Sequence, residues 1–552
     1  MASNRKVLIY QIFTRLYSNR NTTRKENGTI AENGCSKFAD FTPTLLNRIV
    51  SMGITHVWYT GVIRHATQTI YSEYGIPRQH PAVVKGRAGS PYAITDYYDV
   101  DPDLAVSVNR RMAEFEELVA RTHAAGLKVI IDFVPNHVAR QYHSICKPEG
   151  VKDLGEEDNP QFGFDPQNNF YYCPGQRFTP YFDLYHGEEE PYIEEPAKAT
   201  GNDCFHNAPG NNDWYETVKL NYGLDYYADR VGYFNPIPNT WSKMTDILLF
   251  WAKKGVDGFR CDMAEMVPAA FWQWATDKVK FAYPQMIFIG EVYNPAEYRN
   301  YLAAGFDYLY DKVGMYDTLR EVMRGYLSTS AITGAWQATD DIRDHMLYFL
   351  ENHDEQRIAS SFFAGDAQKG VPALVVSALL QKNPLMIYFG QEYGEKGMDK
   401  EGFSGNDGRT TIFDYWSVDT IVRAAERKLT AQEKQLKAVY DKVINIATTE
   451  KAVLDGASFD LMYVNGQYNH EYAFIRKAGV EVLLVVANFA DSNQALGITI
   501  PGHAFDFLNM KEKNVQASDL ISGEKQKLSL KRDAAVVVNV QAKSAVVLKF
   551  KA

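Results

Sequence analysis

The chain has 552 residues with a formal net charge of −10, and 45% of its residues are hydrophobic and 23% charged. That length exceeds one ordinary domain and can bury a large core. The acid is spread along the chain with no basic stripe, which speaks against a nucleic-acid or anionic-membrane partner, and no apolar run is long enough to span a bilayer.

The N-terminus, "MASNRKVLIYQIF", enters a strand-like run almost at once and lacks the parts of a signal peptide. A cytoplasmic protein is therefore expected, or a periplasmic or secreted one if a leader has been removed. Eight apolar runs read as strands: 7–13, 55–62, 127–134, 256–261, 285–290, 306–311, 346–351 and 384–390. They are continuous rather than alternating, as in parallel strands buried on both faces. Helical patterns fall between them. "VNRRMAEFEELVARTHAAG" sets Met112, Phe115, Leu118, Val119 and Ala120 on one face and stops at Gly126, and "SKMTDILLFWAKKG" stops at Gly255. Repeated strand–helix units predict a (β/α)₈ TIM barrel of the α/β class.

More than a simple crossover separates the third and fourth strands, so an inserted domain is expected there. From about 453 onward, short strands separated by polar turns predict a C-terminal antiparallel β-sandwich, reached through the helical segment 430–454. The expected division is barrel 1–138, insert 139–215, barrel 216–452 and sandwich 453–552. Five cysteines (Cys35, Cys146, Cys173, Cys204, Cys261) are widely spaced with no C-x-x-C pair, which argues against a zinc site or a disulfide framework.

Chemistry in such a barrel sits at the C-terminal ends of the strands. There the chain carries "DFVPNH" (Asp132, Asn136, His137), "FRCD" (Arg260, Asp262), "IGE" (Glu291) and "ENHD" (His353, Asp354). Carboxylates, an arginine and histidines from four strands thus meet on one rim. These are the parts of retaining glycoside hydrolysis, in which one carboxylate attacks the anomeric carbon and a second protonates the leaving oxygen. Arg260 and Asp262, two apart along a strand, point the same way, so the guanidinium is expected to lower the Asp262 pKa, while Glu291 is expected to have a raised one.

The motifs "DFVPNH", "GFRCDMAEM", "IGEV" and "ENHD", in order along the whole chain, resemble those of the α-amylase family, glycoside hydrolase family 13. The resemblance implies that Asp262 is the nucleophile, Glu291 the acid/base and Asp354 the third carboxylate. It further implies that His137 and His353 bind the sugar, and that "SPYAITDYYDVDPDL" supplies a stacking Tyr92 and an Asp96 bonded to Arg260. The substrate so implied is an α-1,4-linked glucan or maltooligosaccharide. The same covalent intermediate serves a transglycosylase or an exo-α-glucosidase, and the sequence leaves that choice open. A non-catalytic glucan-binding barrel is a further alternative, against which the complete carboxylate triad speaks.

Two positions depart from the family pattern. Many members hold a structural calcium through the asparagine matching Asn136 and an aspartate of the insert; here "VKLN" puts Lys219 where that aspartate is usual, and its ammonium can replace the ion. Glu265 and Met266 stand where many members have Lys-His facing the leaving group. No organic cofactor is implied. Tyr171, Tyr172 and Phe178 read either as outer sugar subsites or as packing within the insert, and "FGQEYGEKG" after the eighth strand reads as an active-site loop.

Overall fold

All eight apolar runs become the staves of one closed parallel barrel: β1 (Leu8–Phe13), β2 (His56–Thr60), β3 (Lys128–Phe133), β4 (Gly258–Cys261), β5 (Ile287–Gly290), β6 (Tyr308–Tyr310), β7 (Met346–Phe349) and β8 (Leu385–Tyr388). Neighbours in sequence are neighbours in space, and β8 pairs with β1 to close the ring. The computed structural model describes residues 6–397 and 407–551. The opening Met1–Arg5, part of the stretch read for a leader, lies outside them. Among the described residues no helix is long and apolar enough to cross a membrane.

The staves are buried along nearly their whole length, which is why their sequences show no alternation. Inside the barrel Ile9, Trp58, Ile130, Ile289, Tyr310, Leu347, Phe349 and Met386 form a cluster of their own. Outside, the helices press a second apolar layer against it. Helix α1 (Arg111–Ala124) buries Phe115, Leu118, Val119 and Thr122; burying such a Phe, Leu or Val contributes about 1.5–3 kcal/mol. Met112 is only half-buried, and Ala120, expected on the same face, is exposed, because at 100° per residue it lies beyond the stripe that Phe115 and Leu118 define. Helix α2 (Asn239–Lys253) ends as read, with Gly255 at φ 93°, a conformation that costs glycine nothing.

The insert leaves the barrel after β3 and returns at α2. It is anchored by pairing of 137–139 with 217–219 and closes with a further short hairpin, 224–225 with 231–232. Its far boundary therefore lies near Pro238 rather than at 215, since this hairpin precedes the next barrel helix. Its aromatics pack on each other: Tyr171 and Phe178 are buried at 1% and 0% exposure and Tyr172 at 6%. Packing, not an outer subsite, explains those three rings.

Helix α3 (Ala431–Thr449) opens on a Thr430–Glu433 capping box and leads to the C-terminal strands. These form a six-stranded and a two-stranded antiparallel sheet, sharing a core in which Val482, Leu484, Ile498 and Val538 are fully buried.

Candidate active site

The ends of β3, β4 and β5 are locked in register, with Arg260 beside Asp132 and Cys261 beside Gly290. The ladder runs one step further, since Asp262 N–H donates to Phe133 O (2.9 Å) and Glu291 N–H to Cys261 O (3.2 Å). Asp262 and Glu291 are thus set side by side on adjacent staves. Gly290 lets β5 pack closely on the β6 side, because a Cβ there would fall 2.8 Å from Leu309 and 2.9 Å from Phe306.

Arg260 is completely buried beneath the rim and joins the carboxylates. Its Nη1 lies 2.7 Å from Asp262 Oδ1 and 3.7 Å from Asp132 Oδ1, and its Nη2 lies 2.8 Å from Glu291 Oε2 and 3.9 Å from Asp354 Oδ2. Three rings surround the guanidinium, with centroids of Trp58, Tyr92 and Tyr310 at 5.3, 5.4 and 5.5 Å.

Asp96 is not part of this cluster. It pairs with Arg64 (3.0 Å), accepts from Ser144 Oγ and takes backbone N–H bonds from Tyr98 and Ile145. The reason is topological: Ile94–Val100 is not a stave but pairs with Ile63–His65 in a hairpin. Asp132, on β3, is the aspartate that stands next to Arg260, and Trp58 Nε1 (3.1 Å) and Gly61 N–H (3.2 Å) donate to its Oδ2.

Tyr92 stacks on the His353 ring (5.2 Å, 26°) and places its hydroxyl 2.5 Å from His353 Nε2. Gln11 Nε2 reaches His353 Nδ1 at 2.8 Å, and His353 Nε2 lies 3.0 Å from Asp354 Oδ2. His137 lies against Trp214 (5.3 Å). Burial, with Lys219 and Lys85 adding to it, pulls its pKa down to about 3, so its ring is neutral.

The charges do not distribute as expected. Burial pushes the Asp262 carboxyl well up; Arg260 pulls against this, but Glu291 and Asp354 add to it. One guanidinium shared among several carboxylates cannot hold them all ionised, so the expected lowering by Arg260 does not prevail. Burial also works to raise Asp354, but His353, Arg260 and Arg409 outweigh it and hold it at about 2, as suits a side chain 37% exposed.

These groups line one cleft of about 540 Å³, which brings together Tyr92, His137, Asp262, Glu291, His353 and Asp354 with Lys85, Trp214, Tyr293 and Arg409. A larger cavity of about 700 Å³ lies between the 68–87 segment and the insert. It lacks this convergence: its Arg78 and Glu188 are paired with each other. "FGQEYGEKG" does not line the cleft, because Glu392 bonds Tyr10, Gln391 bonds Tyr440 and Glu395 bonds Thr420. Glu265 also turns away from it, its Oε2 accepting the N–H groups of Tyr293 (2.9 Å) and Asn294 (3.0 Å). Sequence reading missed Tyr293 and Trp214 as site residues. Tyr293 stands two positions after Glu291, the same spacing that pointed to Arg260.

Asn136 lies behind the cleft. Its Oδ1 accepts from the Lys219 ammonium, which also lies 2.7 Å from Asp203 Oδ1. Its Nδ2 donates to Gly201 O (2.8 Å). Both side-chain oxygens that a cation would use there thus face an ammonium, a poor fit to an ion that wants six or more oxygens.

The family model for the alpha-amylase catalytic domain matches residues 44–452. Among curated relatives, Alpha-amylase 3 of Dictyoglomus thermophilum is 24% identical over 471 residues, 81% of this chain and 82% of that one. Cyclomaltodextrin glucanotransferase of Geobacillus stearothermophilus is 22% identical over 506 residues, 88% of this chain but only 60% of its own length. The solved structure of the maltogenic alpha-amylase AmyB from Thermotoga neapolitana shares the fold over all of both chains, with TM-score 0.65 and 19% identity.

Proposed function

Because the chain belongs to the alpha-amylase family of glycosidases, we propose that it hydrolyses α-1,4-glucosidic bonds of starch, glycogen or maltooligosaccharides with retention of configuration. The observation that carries this reading is the pair Asp262 and Glu291, side by side on β4 and β5, tied to one guanidinium and open to one cleft. In the first step Asp262 forms a bond to the anomeric carbon as the glycosidic C–O bond breaks, and the proton of Glu291 passes to the leaving oxygen. In the second, water adds to that carbon, its proton goes to Glu291, and the electron pair of the ester bond returns to Asp262. Asp354 is the third carboxylate, and Tyr92, His137 and His353 form the wall against the sugar in this reading.

A product time course on maltoheptaose tests it. Products no longer than seven units, released first as α-anomers by NMR, are expected. Products of eight or more units move the assignment to a transglycosylase, and β-anomers overturn retention.

The reaction needs no calcium in this reading, since the Lys219 ammonium supplies the positive charge between Asn136 and Asp203. Exhaustive dialysis against EDTA should leave both Tm and activity unchanged. Lys219→Met should destabilise the fold by about 1–3 kcal/mol, as the two polar partners lose their donor. A Tm that falls on chelation would refute this. The five cysteines, all free thiols, suit a reducing compartment, and the cytoplasm is the location proposed.

A further inference from the structure

Both oxygens of Glu291 are held. Oε2 accepts from Met263 N–H (2.8 Å) and faces Arg260, and Oε1 accepts from the Tyr293 hydroxyl at 2.6 Å. Tyr293 is held in turn: the Glu265 carboxylate accepts its backbone N–H and that of Asn294, and the Glu265 carbonyl accepts from Tyr301 (3.0 Å). A carboxylate at position 265 is thus spent on fixing the loop that carries Tyr293.

We propose that Tyr293, set in place by Glu265, is a positioning residue for the acid/base, fixing the Glu291 carboxyl over the cleft and favouring release of its proton to the leaving oxygen in the first step. This rests on the reading of Glu291 as acid/base. Burial pushes the Tyr293 hydroxyl well above its usual range, and the charge of Glu291 adds to it, so the phenol keeps its proton and can only donate. A donor to a carboxylate favours the ionised form. It therefore assists passage of the Glu291 proton to the leaving oxygen, and in the step in which Glu291 draws a proton from water it weakens the base and serves only to fix the carboxylate's position. Position 265 acts on the leaving-group side through this contact.

Tyr293→Phe tests the inference through pH and step. One charged hydrogen bond is lost, so the alkaline limb of kcat/KM on maltoheptaose should move up by about one pH unit. At pH values below that limb, kcat/KM on maltoheptaose should fall severalfold, while α-maltosyl fluoride, whose leaving group departs without a proton, should form the glycosyl-enzyme as fast as with the unsubstituted protein. Glu265→Gln, which keeps an acceptor for only part of the loop, should move the limb in the same direction by less. An unmoved limb in both variants at wild-type Tm overturns the proposal, as does a change in KM alone, which is what a ring that merely packs on sugar would give. Undiminished activity of Glu291→Gln would instead overturn the reading on which it rests.

Discussion

Glu291→Gln should lower kcat on maltoheptaose by about 10²–10⁴-fold, the usual contribution of a positioned acid/base, with the fold intact. The amide keeps the size of Glu291 and can still accept from Tyr293, but it neither gives nor takes the proton. Because the fluoride of α-maltosyl fluoride leaves unaided, this variant should still form the glycosyl-enzyme and then stall, and peptide mapping should find the maltosyl group on Asp262. Azide, which needs no base, should restore turnover and yield an α-glycosyl azide, since it enters the face that water would have used. Asp262→Asn should form no adduct under the same conditions. An adduct on Asp354 or Asp132, or none in Glu291→Gln, would remove the assignment of roles, although the fold and the family would stand.

Arg260→Leu should be the most disruptive substitution in the barrel. The side chain is wholly buried and is shared by Asp262, Glu291 and, more distantly, Asp132 and Asp354. Removing one partner of a buried ion pair costs about 3–5 kcal/mol, because the charge left behind has no water to answer it. The denaturant midpoint should drop by that amount at unchanged m, and activity should vanish as the carboxylates take up protons instead. Arg260→Lys keeps the charge but not the planar fork that reaches two carboxylates at once. It should recover much of the stability and little of the activity. A midpoint unmoved in Arg260→Leu would mean that the cluster is held by its other hydrogen bonds.

The staves were legible because strands buried on both faces leave only apolar residues to choose from, and the charged ends of β3, β4, β5 and β7 break that pattern at the rim. What adjacent strand ends bring together could be read the same way. Contacts made outside the barrel could not. Asp96 sits in a strand that pairs with Ile63–His65 outside the barrel, opposite Arg64, so its partner is Arg64. The return of the insert near Pro238 depends on a hairpin of two residues per strand, too short for any periodicity. The clasp of Glu265 on Tyr293 spans 28 positions, and nothing local announces it. The Asp262 pKa departs from expectation for a physical reason: burial raises it, and Glu291 and Asp354 add to that, where the strand spacing points only to the Arg260 neighbour.

The shared guanidinium also sets which molecules would block this cleft. Asp132, Asp262, Glu291 and Asp354 are ranged about a single cation at the place where positive charge develops on the sugar ring in the transition state. A neutral mimic of the sugar, such as a lactone, gains only shape from such a pocket. A mimic with a protonated nitrogen in the ring gains attraction as well, and that attraction is strongest to carboxylates that are ionised. Its affinity should strengthen as the medium is made more basic, until the nitrogen itself loses its proton. The optimum for inhibition would then lie on the alkaline side of the optimum for turnover, so an inhibitor ranked at one pH would be ranked differently at another.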